Sequence, residues 1–162
     1  MALVQISEPA WLGLDLGTQS VRAMIVSCTG ETLAMGSHKL RSRRDGPRHE
    51  QDPEEWWEAV LAACRAALSS LPGGFTIGGV AVDGTSGTRA VLGYNRMQAA
   101  WGLPKLLWLL DRYRGLPAGT RFVHQTDFIN RRLVDGEVAT DTSNALKSGI
   151  DLINDRWPNQ VL

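Results

Sequence analysis

Two short apolar runs hinged on a polar turn constrain this chain more than any other feature. Trp11-Leu12-Gly13-Leu14-Asp15-Leu16 ends at Gly17, and Val21-Arg22-Ala23-Met24-Ile25-Val26 begins just beyond it. β-branched and apolar residues in runs this short have strand character, and the glycine between them permits a tight turn. Thr29-Gly30 offers a second turn before Thr32-Leu33-Ala34-Met35-Gly36-Ser37-His38, which alternates weakly and reads as a third strand. The chain is therefore expected to open as a three-stranded antiparallel meander.

The residues beyond this meander predict a loop, a helix and a return to the sheet. Lys39 to Glu50 is polar and reads as a loop. Its basic residues Lys39, Arg41, Arg43, Arg44 and Arg48 have no interleaved aromatic side chains to stack on bases, so the run reads as solvated rather than as a nucleic-acid patch. Asp52-Pro53-Glu54-Glu55 is a helix start: Asp52 as N-cap acceptor, Pro53 where its missing N–H costs nothing, and two carboxylates at the positive dipole end. Trp57, Val60, Leu61, Cys64 and Leu68 recur at helical spacing, and Trp56 and Trp57 read as packing residues. Pro72-Gly73-Gly74 stops the helix.

Thr76-Ile77-Gly78-Gly79-Val80-Ala81-Val82 then reads as a buried strand. Strand, helix and strand in that order predict a right-handed crossover and a parallel component in the sheet. That topology puts Asp83-Gly84-Thr85-Ser86-Gly87-Thr88 at the carboxyl end of a strand, where open α/β sheets hold their ligands. Further on, Pro104 opens a short helix carrying Leu103, Leu106, Leu107 and Leu110. Another helix is expected around Gln125 to Leu133, and a polar, turn-rich tail from Thr140 to Leu162.

Composition narrows the class. The 162 residues are 43% hydrophobic and 21% charged, the balance of a globular domain. Seventeen basic and seventeen acidic side chains cancel, so no global field draws the chain to nucleic acid or an anionic membrane, and neither is an expected partner. Cys28 and Cys64 form no CxxC and have no zinc-ligand neighbours; both are expected to be buried, reduced thiols. The N-terminus lacks a basic region and its apolar run is broken by Glu8 and Pro9, so no secretory signal is read there. No stretch reaches the roughly 20 apolar residues of a membrane helix. A cytoplasmic location is expected.

Two segments carry candidate chemistry. Asp15-Leu16-Gly17-Thr18-Gln19-Ser20-Val21-Arg22 puts a carboxylate at a strand end, then a glycine and hydroxyl turn whose amides can point at one anion. Asp15 is a candidate metal ligand, because magnesium prefers one or two carboxylates with phosphate oxygens, and Arg22 adds a fixed positive charge. A structural hairpin held by side-chain hydrogen bonds would use the same residues. Asp83-Gly84-Thr85-Ser86-Gly87-Thr88 offers a carboxylate, hydroxyls and glycines suited to a polyhydroxylated ligand close to the backbone, or equally a polar turn.

In order and separation, Asp15-x-Gly-Thr18-x-Ser20-x-Arg22, then Glu50-Gln51-Asp52-Pro53-Glu54-Glu55-Trp56-Trp57, then Val82-Asp83-Gly84-Thr85-Ser86-Gly87-Thr88 resemble the start of an FGGY-type carbohydrate kinase. Leu103 to Leu109, His124 to Phe128 and Ser143 to Gly149 resemble later blocks of the family, and the Val82 to Thr88 and Ser143 to Lys147 segments look most like its xylulokinase and ribulose-kinase-like branch. The resemblance implies the RNase H-like α/β fold of the actin, Hsp70 and sugar-kinase superfamily, a mixed sheet flanked by helices. It implies ATP with Mg2+ and a small-molecule sugar substrate. Asp15 would sit near magnesium, Gly17, Thr18, Gln19, Ser20 and Arg22 around the ATP phosphates, and Asp83, Thr85 and Ser86 at the sugar.

The chain also departs from that pattern. Between Leu92 and Leu103 the family carries a further turn, a strand, a sugar-site segment and a helix, where this chain has only Gly93 to Gly102; Tyr94-Asn95 reads as a remnant, with Arg96 where an acid often stands. An internal deletion near 92–103 is the simplest cause. Residues 1–162 are expected to form an incomplete N-terminal domain, with the C-terminal domain, its general-base aspartate and its adenosine motif absent. No residue here is assigned as catalytic. His38, His49 and His124 lack an orienting carboxylate in their own motifs and read as structural. The competing expectation is a non-catalytic phosphate- or sugar-binding or regulatory isoform that self-associates through the uncovered cleft face.

Overall fold

The computed structural model of the chain describes residues 7–45, 48–85, 102–113 and 115–157. They divide into two compact units, one holding the main sheet and the first helix, the other the helices beyond Thr85.

The first unit is a four-stranded sheet ordered β3-β2-β1-β6, from β1 (Glu8–Leu16), β2 (Ser20–Ser27), β3 (Thr32–Lys39) and β6 (Phe75–Gly84). β1, β2 and β3 are the expected antiparallel meander. β6 returns parallel to β1 after α1 (Pro53–Ser69), completing the crossover. Alternation decides what packs. Ala10, Leu12, Leu14 and Leu16 of β1 are buried, and Leu12↔Ile25, Leu14↔Ala23 and Leu16↔Val21 pair across to the buried residues of β2. A fully buried Leu, Ile or Val contributes about 1.5–3 kcal/mol, so this one face supplies most of the unit's driving force.

Helix α1 starts as its sequence dictates. Asp52 is extended (φ −82°, ψ 125°) and its Oδ1 accepts from the Glu54 amide at 2.9 Å. Its buried side is narrower than the stripe of large residues suggests: Ala59, Val60, Ala63 and Ala67 are buried, whereas Leu68 is exposed. Gly36 explains the preference for alanine. A Cβ built there would fall inside the Ala63 carbonyl oxygen and 2.6 Å from the Ala67 amide nitrogen, so β3 and α1 meet backbone to backbone and only small side chains fit between them.

Several expectations are corrected. The polar stretch after β3 is not all loop; β4 (Arg43–Asp45) and β5 (Arg48–Glu50) form a two-stranded sheet there. β6 is not a fully buried strand, since Val80 is half exposed. Cys28 is exposed, because it lies in the turn closing β2 rather than on the strand's inner face. Cys64, on α1, is half-buried, and burial pushes its thiol pKa up.

In the second unit, α2 (Gly102–Arg112), α3 (Gln125–Val134) and α4 (Thr142–Lys147) bury Leu103, Ile129 and Ala145. The tail is thus partly helical, because Asp141 caps α4 through the Asn144 amide at 2.8 Å. Asn144 is itself buried and satisfied, its Nδ2 donating to Thr126 Oγ1 and Asp141 Oδ2 at 2.8 Å each. His124 precedes α3, its Nε2 2.9 Å from Ser148 Oγ. Burial holds its pKa below the usual imidazole value, against the opposing pull of Asp127 and Asp141. Among the described residues no helix is long and apolar enough to cross a membrane.

Candidate functional site

The candidate site lies at the carboxyl ends of β1 and β6. Because these strands are parallel and in register, Asp15 pairs with Asp83, and Leu16 with Gly84. Paired residues share a face. The core side chains Leu14 and Leu16 project one way, so the two carboxylates project the other. Arg22 reaches the same row from β2, where it is the antiparallel partner of Asp15. Its Nη2 donates to Asp15 Oδ2 at 2.5 Å, with both side chains substantially open to solvent, 60% and 44% exposed. The sheet thus gathers Asp15, Arg22 and Asp83. Thr85 follows β6 directly and is exposed; Ser86, the remaining expected sugar contact, lies outside the described residues, as does the segment around Tyr94 to Arg96.

Between Asp15 and Arg22 the chain makes the expected tight turn. The Gly17 amide donates to the Ser20 carbonyl at 3.0 Å, and a Cβ at Gly17 would approach that oxygen to 3.2 Å, which favours glycine. Two more carbonyls of the turn are held from outside it: Gln19 O accepts from the Leu40 amide at 2.8 Å, and Thr18 O from Gln51 Nε2 at 2.8 Å. The amides of Thr18 and Gln19 have no hydrogen-bond partner among the described residues. Carbonyls tied back and amides left open are an arrangement suited to an anion.

Gln51 belongs to the Glu50 to Trp57 segment that carries the family resemblance, but the sequence assigned it no role of its own. It sits in a polar stretch just before a helix cap, with no periodicity to mark it, and its long-range partner is a backbone atom that no side-chain pattern reveals. A pocket of about 400 Å³ opens on its other side, between Arg41, Arg43, Glu50 and Asp52. Asp15 and Asp83 do not line it, and its opposed charges do not favour one sign of ligand.

The donor set fits magnesium. No group of three or more His, Cys, Asp or Glu side chains occurs among the described residues, so no all-protein metal cage is present there. A hydrated magnesium ion needs only one or two carboxylates when phosphate completes its shell. Asp15, with Asp83 beside it, could supply those, although Asp15 Oδ2 is paired with Arg22 here.

The meander, the crossover helix and the parallel fourth strand define an RNase H-like α/β domain, with an acidic turn site at its strand ends. Residues 10–94 match the N-terminal domain of the FGGY family of carbohydrate kinases, and the chain belongs to that family. It is 27% identical over 190 residues to a xylulose kinase of Klebsiella pneumoniae, covering 94% of this chain and 39% of that protein. It is 28% identical over 202 residues to a glycerol kinase of Methylibium petroleiphilum, covering 93% and 40%. Its fold matches a gluconate kinase of Lactobacillus acidophilus with a TM-score of 0.80 at 17% identity, over 96% of this chain and 39% of that one. The chain therefore spans about two fifths of the length of these relatives.

Proposed function

We propose that this chain provides the phosphate- and sugar-facing half of an ATP-dependent kinase acting on a ketopentose or polyol of the xylulose or ribulose type. The observation that carries the reading is the register pairing of Asp15 with Asp83 beside a turn whose Thr18 and Gln19 amides are open. Open amides and Arg22 suit the ATP phosphates, and Asp83 and Thr85 suit sugar hydroxyls, with Ser86 next in sequence. The xylulose kinase relative supports the sugar class.

In the reaction, a sugar hydroxyl oxygen attacks the γ-phosphorus in line, the bond to the β-phosphate oxygen breaks, ADP leaves, and the hydroxyl proton passes to a base. Magnesium held at Asp15 would neutralise charge on the phosphate oxygens. This chain's own residues bind and orient: the turn amides and Arg22 hold phosphate oxygens, and Asp83 fixes the attacking sugar. We place the base, an aspartate, in a C-terminal domain outside this sequence. The Klebsiella alignment, at 190 positions, is longer than this 162-residue chain, which accords with residues having been lost inside it; we place that loss near 92–103. A cytoplasmic location accords with free ATP and sugar as substrates.

The test is ADP release with a panel of pentuloses and polyols, alongside binding of MgATP. Turnover abolished by Asp15→Ala supports the kinase reading. Binding of MgATP without turnover by the protein with that C-terminal domain joined to it supports the second reading, a binding or regulatory protein. A chain that binds neither MgATP nor sugar refutes both.

A further inference from the structure

We propose that Gln51 is a positioning residue for phosphate binding: it fixes the peptide between Thr18 and Gln19 so that the Gln19 N–H faces outward to the anion. The inference rests on the phosphate reading of the turn given above. A peptide group is planar and trans, so its C=O and N–H point in opposite directions. Gln51 Nε2 takes the Thr18 carbonyl at 2.8 Å, which directs that peptide's oxygen toward the body of the unit and its amide away. Rotation of this peptide by half a turn would present a carbonyl oxygen to the phosphate instead, and repel it.

The orientation of Gln51 is itself determined. The Trp56 indole Nε1–H can only donate, and it donates to Gln51 Oε1 at 3.1 Å, so the amide nitrogen must be the atom facing Thr18. The second proton of Nε2 goes to Ser42 Oγ at 3.0 Å. One side chain therefore ties the β1–β2 turn to the first turn of α1 and to the segment after β3. It touches neither Asp15 nor the expected phosphate position, and acts through the backbone.

The chain's mass, 17.7 kDa, suits amide NMR. Inorganic tripolyphosphate serves as the probe, followed at the Thr18 and Gln19 amides. Gln51→Glu keeps the shape and the Trp56 contact but turns the donor toward Thr18 into an acceptor. It should weaken tripolyphosphate binding by about tenfold, the equivalent of one lost hydrogen bond, and move the Gln19 amide shift in the unliganded protein, with the remaining amide spectrum unchanged. Acid should rescue it. As pH falls through about 4.3 the introduced carboxyl protonates and regains a donor, so the affinity deficit relative to wild type measured at the same pH shrinks. Gln51→Met, which can neither donate nor titrate, should show the deficit without the rescue, and covers the case in which the introduced charge unfolds the chain. Equal affinity of wild type and either folded variant overturns the proposal while leaving the phosphate site standing. No binding by the wild type overturns both.

Discussion

Alanine in place of Gly36 should destabilise the sheet-and-helix unit by about 3 kcal/mol, at the upper end of overpacking costs. The added methyl would lie inside the Ala63 carbonyl oxygen, 2.6 Å from the Ala67 amide nitrogen and 2.9 Å from Ala66 Cβ. Two of these atoms are helix backbone, and the third is a methyl carried directly on it, so no side-chain rotation relieves the clash. The helix must move. A gap of about 1 Å forfeits a quarter to a half of the dispersion energy of every contact it opens, and here it opens the seam over Ala59, Ala63 and Ala67, each at most 1% exposed. For a chain of this size about 3 kcal/mol corresponds to a fall in midpoint of roughly 6–12 °C. Urea and thermal unfolding followed by far-ultraviolet circular dichroism measure it. Gly73→Ala is the control, because nothing lies within 4 Å of a Cβ there, and it should stay within about 0.5 kcal/mol of wild type. A Gly36→Ala protein as stable as that control would refute the close backbone approach of β3 and α1.

Other expectations follow from single interactions. Asp52→Ala removes the α1 cap and should cost about 1 kcal/mol by urea denaturation, with Asp52→Asn restoring most of it. Arg22→Ala should change stability by less than about 1 kcal/mol, because the Asp15 pair is solvent-screened, while weakening MgATP binding measured by calorimetry. His124 is depressed by burial, so the unfolded chain takes up a proton more readily than the folded one. Stability should be fully present above the unfolded imidazole pKa of about 6.5 and decline as pH falls below it; His124→Asn should flatten that part of the urea-midpoint profile.

Legibility in the sequence followed the range of the interactions. The meander, α1 and the returning strand were readable because each is set by neighbouring residues: alternation over Leu12, Leu14 and Leu16, turns at Gly17 and Gly30, a cap at Asp52. Asp15 and Asp83 could be nominated from local composition, and topology alone put them side by side. The β4–β5 sheet was hidden because its strands are short and charged, without alternation. The alanine face of α1 was hidden because large residues draw attention on a helical wheel, whereas the deciding partner was Gly36 on another element. Gln51 was hidden for a similar reason, since its significance lies in a carbonyl far away in sequence.

The same long-range logic governs the register that makes the site. Ile77 pairs with Ala10 on the core face, and Val80 pairs with Leu12 on that face too, although strict alternation would send them to opposite sides. A bulge between Ala10 and Trp11 resolves the conflict by leaving Gly78 unpaired, after which Val82 stays inward beside Leu14 and Asp83 outward beside Asp15. Glycine suits the place, because the Trp11 ring lies across it: a Cβ at Gly79 would come 2.7 Å from the ring and one at Gly78 3.8 Å. Deleting Gly78 removes the surplus residue, so β6 should become regular while both Ala10↔Ile77 and Asp15↔Asp83 survive. Interstrand contacts between the Asp15 and Asp83 backbones by nuclear Overhauser effect, with MgATP binding in parallel, test this. Preserved pairing and affinity are expected. A slip of Asp83 off Asp15 in the folded deletion variant would mean that the bulge sets the register rather than accommodating it, and that the core alternation is not what positions the carboxylates.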